Sequence, residues 1–168
     1  MKFIVVYESL WGNTAAVARA MADGLGPDTR VLSTAEAIGE ALADADLVVA
    51  GAPVLTFGLP SEKTRASIAA NPAGAPAPPD LSHPAMRTWL DALAPASGSA
   101  AAFDTQVRGP FGKAAPTILK GLERAGYRPI TKPAGFIVAG KFGPLRKGEL
   151  DRAKEWGTQL AALATGSA

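Results

Sequence analysis

The feature that most restricts this chain is a run of strand-forming residues, Lys2-Phe3-Ile4-Val5-Val6-Tyr7, that shows no polar–apolar alternation and opens within a few residues into a helix-forming stretch. A strand with one wet face alternates in polarity. One that does not alternate is covered on both faces, as in the middle of a parallel sheet. Residues 46–51, Asp-Leu-Val-Val-Ala-Gly, repeat the pattern. Further strands are predicted at 29–33, 100–104 and 130–139, and helices at 14–25, 36–43, 85–93, 115–125 and 148–164. Strands alternating with helices imply a parallel sheet, so the fold class is α/β, a doubly wound five-stranded parallel sheet.

Local punctuation agrees with these boundaries. Ser33 precedes Glu36 at capping-box spacing, Pro116 suits a first helical turn, and Gly126 closes the helix it begins. Val17, Met21 and Leu25 recur every fourth position and form a stripe that can pack on the sheet. At 168 residues the chain is expected to form one domain, 1–168. Residues 71–84, Asn-Pro-Ala-Gly-Ala-Pro-Ala-Pro-Pro-Asp-Leu-Ser-His-Pro, fit neither helix nor central strand and are predicted to be an exposed connection or inserted flap. Having few apolar anchors, the segment is expected to be mobile and dispensable for folding.

Composition removes several function classes. The absence of cysteine excludes disulfides, thiolate nucleophiles and cysteine-ligated metal clusters, so redox chemistry would require a bound cofactor. No apolar run is long enough to span a bilayer, and the start of the sequence carries no secretory or transit pattern, which makes the cytoplasm the expected location. Residues 1–84 hold 5 Lys and Arg against 9 Asp and Glu, whereas residues 85–168 hold 12 against 6. The basic residues are dispersed rather than clustered, which argues for a solvated basic face and against nucleic-acid binding. His83, the single histidine, sits among prolines and is read as structural or solvent-facing, with no metal role.

The chemistry concentrates at Ser9-Leu10-Trp11-Gly12-Asn13-Thr14, where a strand opens directly into a helix. A helix start offers unpaired backbone N–H groups and a positive dipole end, the two requirements for holding a phosphate. Gly12 permits close backbone approach, and Ser9, Asn13 and Thr14 add side-chain donors. Neither the Walker sequence nor the three-glycine dinucleotide pattern is present. A plain strand-to-helix turn without ligand is the alternative reading.

This stretch resembles the flavodoxin signature: hydrophobic, hydrophobic, aromatic, any residue, Ser or Thr, two residues, Gly, any residue, Thr. Val5, Val6, Tyr7, Ser9, Gly12 and Thr14 match it, while Trp11 stands where flavodoxins commonly have a small hydroxyl residue. The resemblance implies strand order 2-1-3-4-5 over nearly the whole chain, with FMN at the carboxyl ends of the strands. It implies that Pro53, Val54, Leu55, Thr56, Phe57 and Gly58 form a first flavin-contacting loop, and Asp104, Thr105, Gly109, Phe111 and Gly112 a second. Phe57 and Phe111 can stack on the ring or fill the edge of the core, and Asp104 can bond a ligand or cap the following turn. Implied partners are a redox protein or a small acceptor such as a quinone, with NAD(P)H as a further candidate and electron or hydride transfer as the chemistry. A flavodoxin-like module that has lost flavin and serves in binding or regulation is the alternative. A receiver domain has the same sheet but needs an acidic residue closing the third strand, where this chain has Gly51 and Ala52.

Overall fold

In a computed structural model, which describes residues 1–72 and 74–166, β1 (Phe3–Tyr7) lies between β2 (Arg30–Ser33) and β3 (Leu47–Pro53). β4 (Ser99–Val107) follows on the far side of β3, and all neighbours are parallel. β5 (Arg128–Pro129) and β6 (Ala134–Val138) both pair with β4, giving a sheet ordered 2-1-3-4-5 with β6 beside β5's continuation. The helices are α1 (Asn13–Leu25), α2 (Glu62–Ala70), α3 (Met86–Asp91), α4 (Ala115–Ala125) and α5 (Glu149–Gly166).

The missing alternation in β1 has the expected cause. Ile4 and Val6 face one core with Val48, Ala50, Trp89, Ile118 and Leu122, whereas Phe3 and Val5 face another with Val17, Met21, Phe103 and Leu160. The second core is sealed by two helices in close contact. A Cβ on Gly24 would come within 1.9 Å of the Lys154 carbonyl oxygen, and one on Gly157 within 2.1 Å of that of Met21, so α1 and α5 approach at a distance only glycine allows.

Three local expectations are corrected. Residues 36–43 do not form an α-helix: Glu36 accepts from the Ser33 N–H and hydroxyl at 2.8 and 2.9 Å, but Ile38 is extended and Gly39 has φ 51°, which leaves one short 3₁₀ turn at Gly39–Ala41. Helix α2 was not foreseen because it buries only Arg65 and so lacks an apolar stripe; the legible sign was Ser61, whose Oγ accepts from the Thr64 N–H at 3.1 Å. The fifth strand expected at 130–139 is split: β5 pairs with β4 at Arg128–Pro129, the last bond being from the Ile130 N–H to the Ala100 carbonyl, and pairing resumes only at Ala134 opposite Phe103, after Pro133, which has no N–H to give.

Candidate functional site

The carboxyl ends of β1, β3, β4 and β6 meet at one edge of the sheet. There Gly12 takes φ 91°, a left-handed conformation that favours glycine, and apart from its chain neighbours no protein atom lies within 4 Å of where its Cβ would stand. The first helical bond runs from the Ala16 N–H to the Gly12 carbonyl at 3.0 Å, and no side chain caps α1. The N–H groups of Asn13, Thr14 and Ala15 are therefore left for a group outside the helix. Ser9, Leu10, Trp11, Asn13 and Thr14 wall a small cleft together with Pro53, Val54, Thr105 and Lys141, so residues expected from three separate loops do converge.

Several donors read from the sequence are engaged within the protein. The Ser9 hydroxyl accepts from the Gly12 N–H at 3.1 Å and keeps its own proton to give. The Thr14 and Thr105 hydroxyls share a hydrogen bond of 2.8 Å, which leaves one proton between them. The Asn13 amide donates to the Phe142 carbonyl at 3.0 Å and ties down the loop after β6. Trp11, which lines the cleft, packs edge-on against Phe142 with ring centroids 4.6 Å apart.

The loops after β3 and β4 are built differently. Leu55 and Gly58 exchange backbone hydrogen bonds of 2.9 and 3.2 Å around Thr56 and Phe57, both at positive φ, 51° and 65°. Two non-glycine residues in the left-handed region mark a hairpin turn of the I′ kind under strain. This turn holds Phe57 out with 70% of its surface exposed, and Phe111 on the neighbouring loop is 49% exposed. Gly112 seats the second loop on the first, for a Cβ there would lie 1.9 Å from the Phe57 carbonyl oxygen, while Gly109 lies under the Phe111 ring. Both phenylalanines thus stand off the core.

Asp104 lies outside the cleft. Its Oδ2 accepts from the Ala114 and Ala115 N–H groups at 2.8 and 2.9 Å, and its Oδ1 from the Gln106 amide at 2.8 Å, so it caps α4. Burial pushes its carboxyl above the ordinary value, and those N–H groups pull it back. β4 also runs longer than predicted, so Thr105 belongs to the strand.

No family model and no curated protein matches the sequence. Solved structures resemble it along its length. A flavodoxin from the domain Archaea superposes with TM-score 0.67 at 20% identity, over 98% of this chain and 99% of its own. A WrbA-like flavodoxin from Agrobacterium tumefaciens gives 0.57 at 19% identity over 98% of both chains. A flavodiiron core from Synechocystis sp. PCC6803 gives 0.62 at 17% identity, with all of this chain matching 37% of that one. The fold is flavodoxin-like.

In this flavodoxin-like fold the described residues of segment 71–84 form a strap. It is exposed over most of its length, yet it is docked on the β1–α1 loop. Asp80 N–H donates to the Leu10 carbonyl at 2.8 Å, the Trp11 indole donates to the Ala77 carbonyl at 3.1 Å, and the Ser9 N–H donates to His83 Nε2 at 3.0 Å. The Pro84 carbonyl accepts from the Thr34 hydroxyl at 2.6 Å. The anchors of this strap are polar rather than apolar. His83 itself is 4% exposed, so it does not face solvent. Beneath it lie Glu8 and Arg65, at 0% and 2% exposure, with Oε2 and Nε 3.5 Å apart, each without a hydrogen bond among the described residues. Glu8 Oε1 accepts from the Met86 N–H at 2.9 Å, and burial pushes its carboxyl up to about 7 against the pull of that bond and of Arg65. Neither Lys141 nor the strap was identified from sequence as part of the site; Lys141 was findable as a cation following the last strand. Among the described residues no helix is long and apolar enough to cross a membrane.

Proposed function

We propose that this protein binds FMN, with the phosphate at the start of α1 and the ring against the loops that carry Phe57 and Phe111. The observation that carries the reading is the pairing of an uncapped helix start behind Gly12 with two exposed phenyl rings on adjoining loops of the same sheet edge. The residues fit the group: three backbone N–H groups and the open side of Gly12 suit a phosphate, and the exposed rings suit a planar aromatic system. FMN, when bound, supplies electron or hydride transfer. The chain's own part is to hold the phosphate through Asn13, Thr14 and Ala15, to seat the ring, and to set the charge around it.

That charge favours the two-electron reading. The loops after β4 and β6 carry Arg108, Lys113, Lys141, Arg146 and Lys147, all exposed, and their stretches 108–114 and 139–148 contain no carboxylate. Cations at this rim stabilise negative charge on a neighbouring group and attract anionic reactants. We therefore infer a reductase role, with NAD(P)H as donor and a quinone-like acceptor, over that of a one-electron carrier. The reading of a module without flavin draws on the internal engagement of Ser9, Asn13 and Thr14.

Fluorescence titration with FMN tests the reading. The parent should take up one equivalent, and Gly12→Val, which places a branched side chain on the open face at positive φ, should bind at least about tenfold more weakly while remaining folded. No uptake by the parent supports the module without flavin. Equal affinity of parent and variant moves the phosphate elsewhere.

A further inference from the structure

The strap does more than cover the β1–α1 loop, because one of its side chains fixes the protonation state in which that loop can keep its shape. The Ser9 N–H is a donor with no other role, and the group it meets, 3.0 Å away in a buried setting, is a ring nitrogen. A ring nitrogen accepts only when it carries no proton, so His83 is neutral here, with its proton on Nδ1 facing Asp80 Oδ1 at 3.8 Å. We propose that neutral His83 is the positioning residue of the anion-binding loop, and that protonation of its Nε2 releases the loop and weakens its hold on a phosphate group. The proposal rests on the FMN reading for its ligand, though not for its geometry.

Protonating Nε2 sets two N–H groups against each other across 3.0 Å with no water between them in a buried site, so Ser9 and the residues after it must move. Those residues are Leu10, Trp11 and Gly12, and Gly12 closes onto the Ser9 hydroxyl at 3.1 Å. The turn that aims the first N–H groups of α1 is therefore joined to the imidazole through a single residue.

The charged groups around the ring oppose one another. From the strap Asp80, and from α2 Glu62, favour the imidazolium; Arg65, also on α2, disfavours it, and burial disfavours it most, so the imidazole titrates below its ordinary value. From β1 the Tyr7 ring stands edge-on, centroids 6.3 Å apart, and Glu8, next in the chain, faces Arg65. Arg65 Nη2 also donates to the His83 carbonyl, so the backbone of the strap is held even when its side chain lets go. The response is thus local to the loop.

Two variants separate the outcomes. His83→Gln places an amide oxygen near the position of Nε2 and does not titrate; His83→Leu fills the site and cannot accept. Because the phosphate ester of FMN itself titrates near pH 6, the readout is the difference between parent and variant across pH 5 to 7.5 rather than either profile alone. The parent should lose about tenfold more affinity for FMN on acidification than His83→Gln, and His83→Leu should bind at least about tenfold more weakly at pH 7.5. Identical profiles for the parent and His83→Gln overturn the proposal while leaving FMN binding intact. If the parent binds no FMN, the FMN reading fails and the geometry is still decided in the protein alone by NMR: the Ser9 amide shift and its exchange protection should follow the His83 titration in the parent, and independence of the two overturns the proposal.

Discussion

The β1–α1 loop is bonded from beneath by His83, from the side by Asp80 and Ala77, and across the cleft by Phe142, whereas the loops after β3 and β4 present Phe57 and Phe111 to solvent, Phe57 from a turn with two non-glycine residues at positive φ. The difference matches what each half of a phosphate-bearing aromatic ligand requires. A phosphate is recognised by several N–H groups at fixed angles, and those must be set before it arrives, because in a buried loop every misplaced donor costs a hydrogen bond. A ring is recognised by apolar area, which tolerates small displacements. One region is therefore cross-linked by polar bonds, and the other keeps exposed aromatic surface at the expense of backbone strain.

The largest effect is expected from breaking the polar foundation of the first region. At pH 8, where Glu8 is ionised, Arg65→Ala leaves that carboxylate buried without a countercharge and removes the donor to the His83 carbonyl, and should lower unfolding stability by about 3–5 kcal/mol in a denaturant titration. A loss below about 1 kcal/mol, the level of a surface pair, would mean that the strap is not anchored through this arginine.

Next comes pH. Glu8 titrates at about 7 in the folded protein and 4.5 otherwise, so the folded state holds that proton more tightly. Its contribution is complete below pH 4.5 and is lost as pH rises towards 7, on the order of 3 kcal/mol in all. His83 acts in the opposite sense, since its lowered value gives stability that is lost as pH falls below 6.5. Comparison of stability against pH for the parent and Glu8→Gln isolates the first contribution: the falling slope between 4.5 and 7 should vanish in the variant. An unchanged slope would assign it to another group.

The smallest effect belongs to the second region and has the opposite sign. Phe57→Gly relieves a residue held at φ 65° whose side chain is 70% exposed, and should raise stability by about 1 kcal/mol in the same titration while weakening FMN binding. A destabilised variant would show that the phenyl ring packs rather than waits for a ligand.

Much of this edge was legible in advance, for a physical reason that also marks where legibility stopped. Strands β1 and β3 were readable because burial on both faces removes alternation, whereas the strand order 2-1-3-4-5 was implied by the resemblance to flavodoxins. The Gly12 turn was readable because small and polar residues stand where a strand opens directly into a helix; its left-handed φ came from the structure. Helix α2 was not, since its fold is maintained by one capping serine and one buried arginine rather than by a stripe.

The sequence by itself determined the parallel strands β1 and β3, the Gly12 turn ahead of α1 and the places of the loops that carry Phe57 and Phe111, because each is written in neighbouring residues. Only the tertiary structure decided that Asp104 caps α4, that Asn13 fastens the loop of Phe142, and that His83 reaches Ser9 across 74 positions of sequence. These are single polar contacts between distant segments. A hydrogen bond leaves no periodicity in a sequence, and its partner is chosen by whatever the packed sheet brings within about 3 Å.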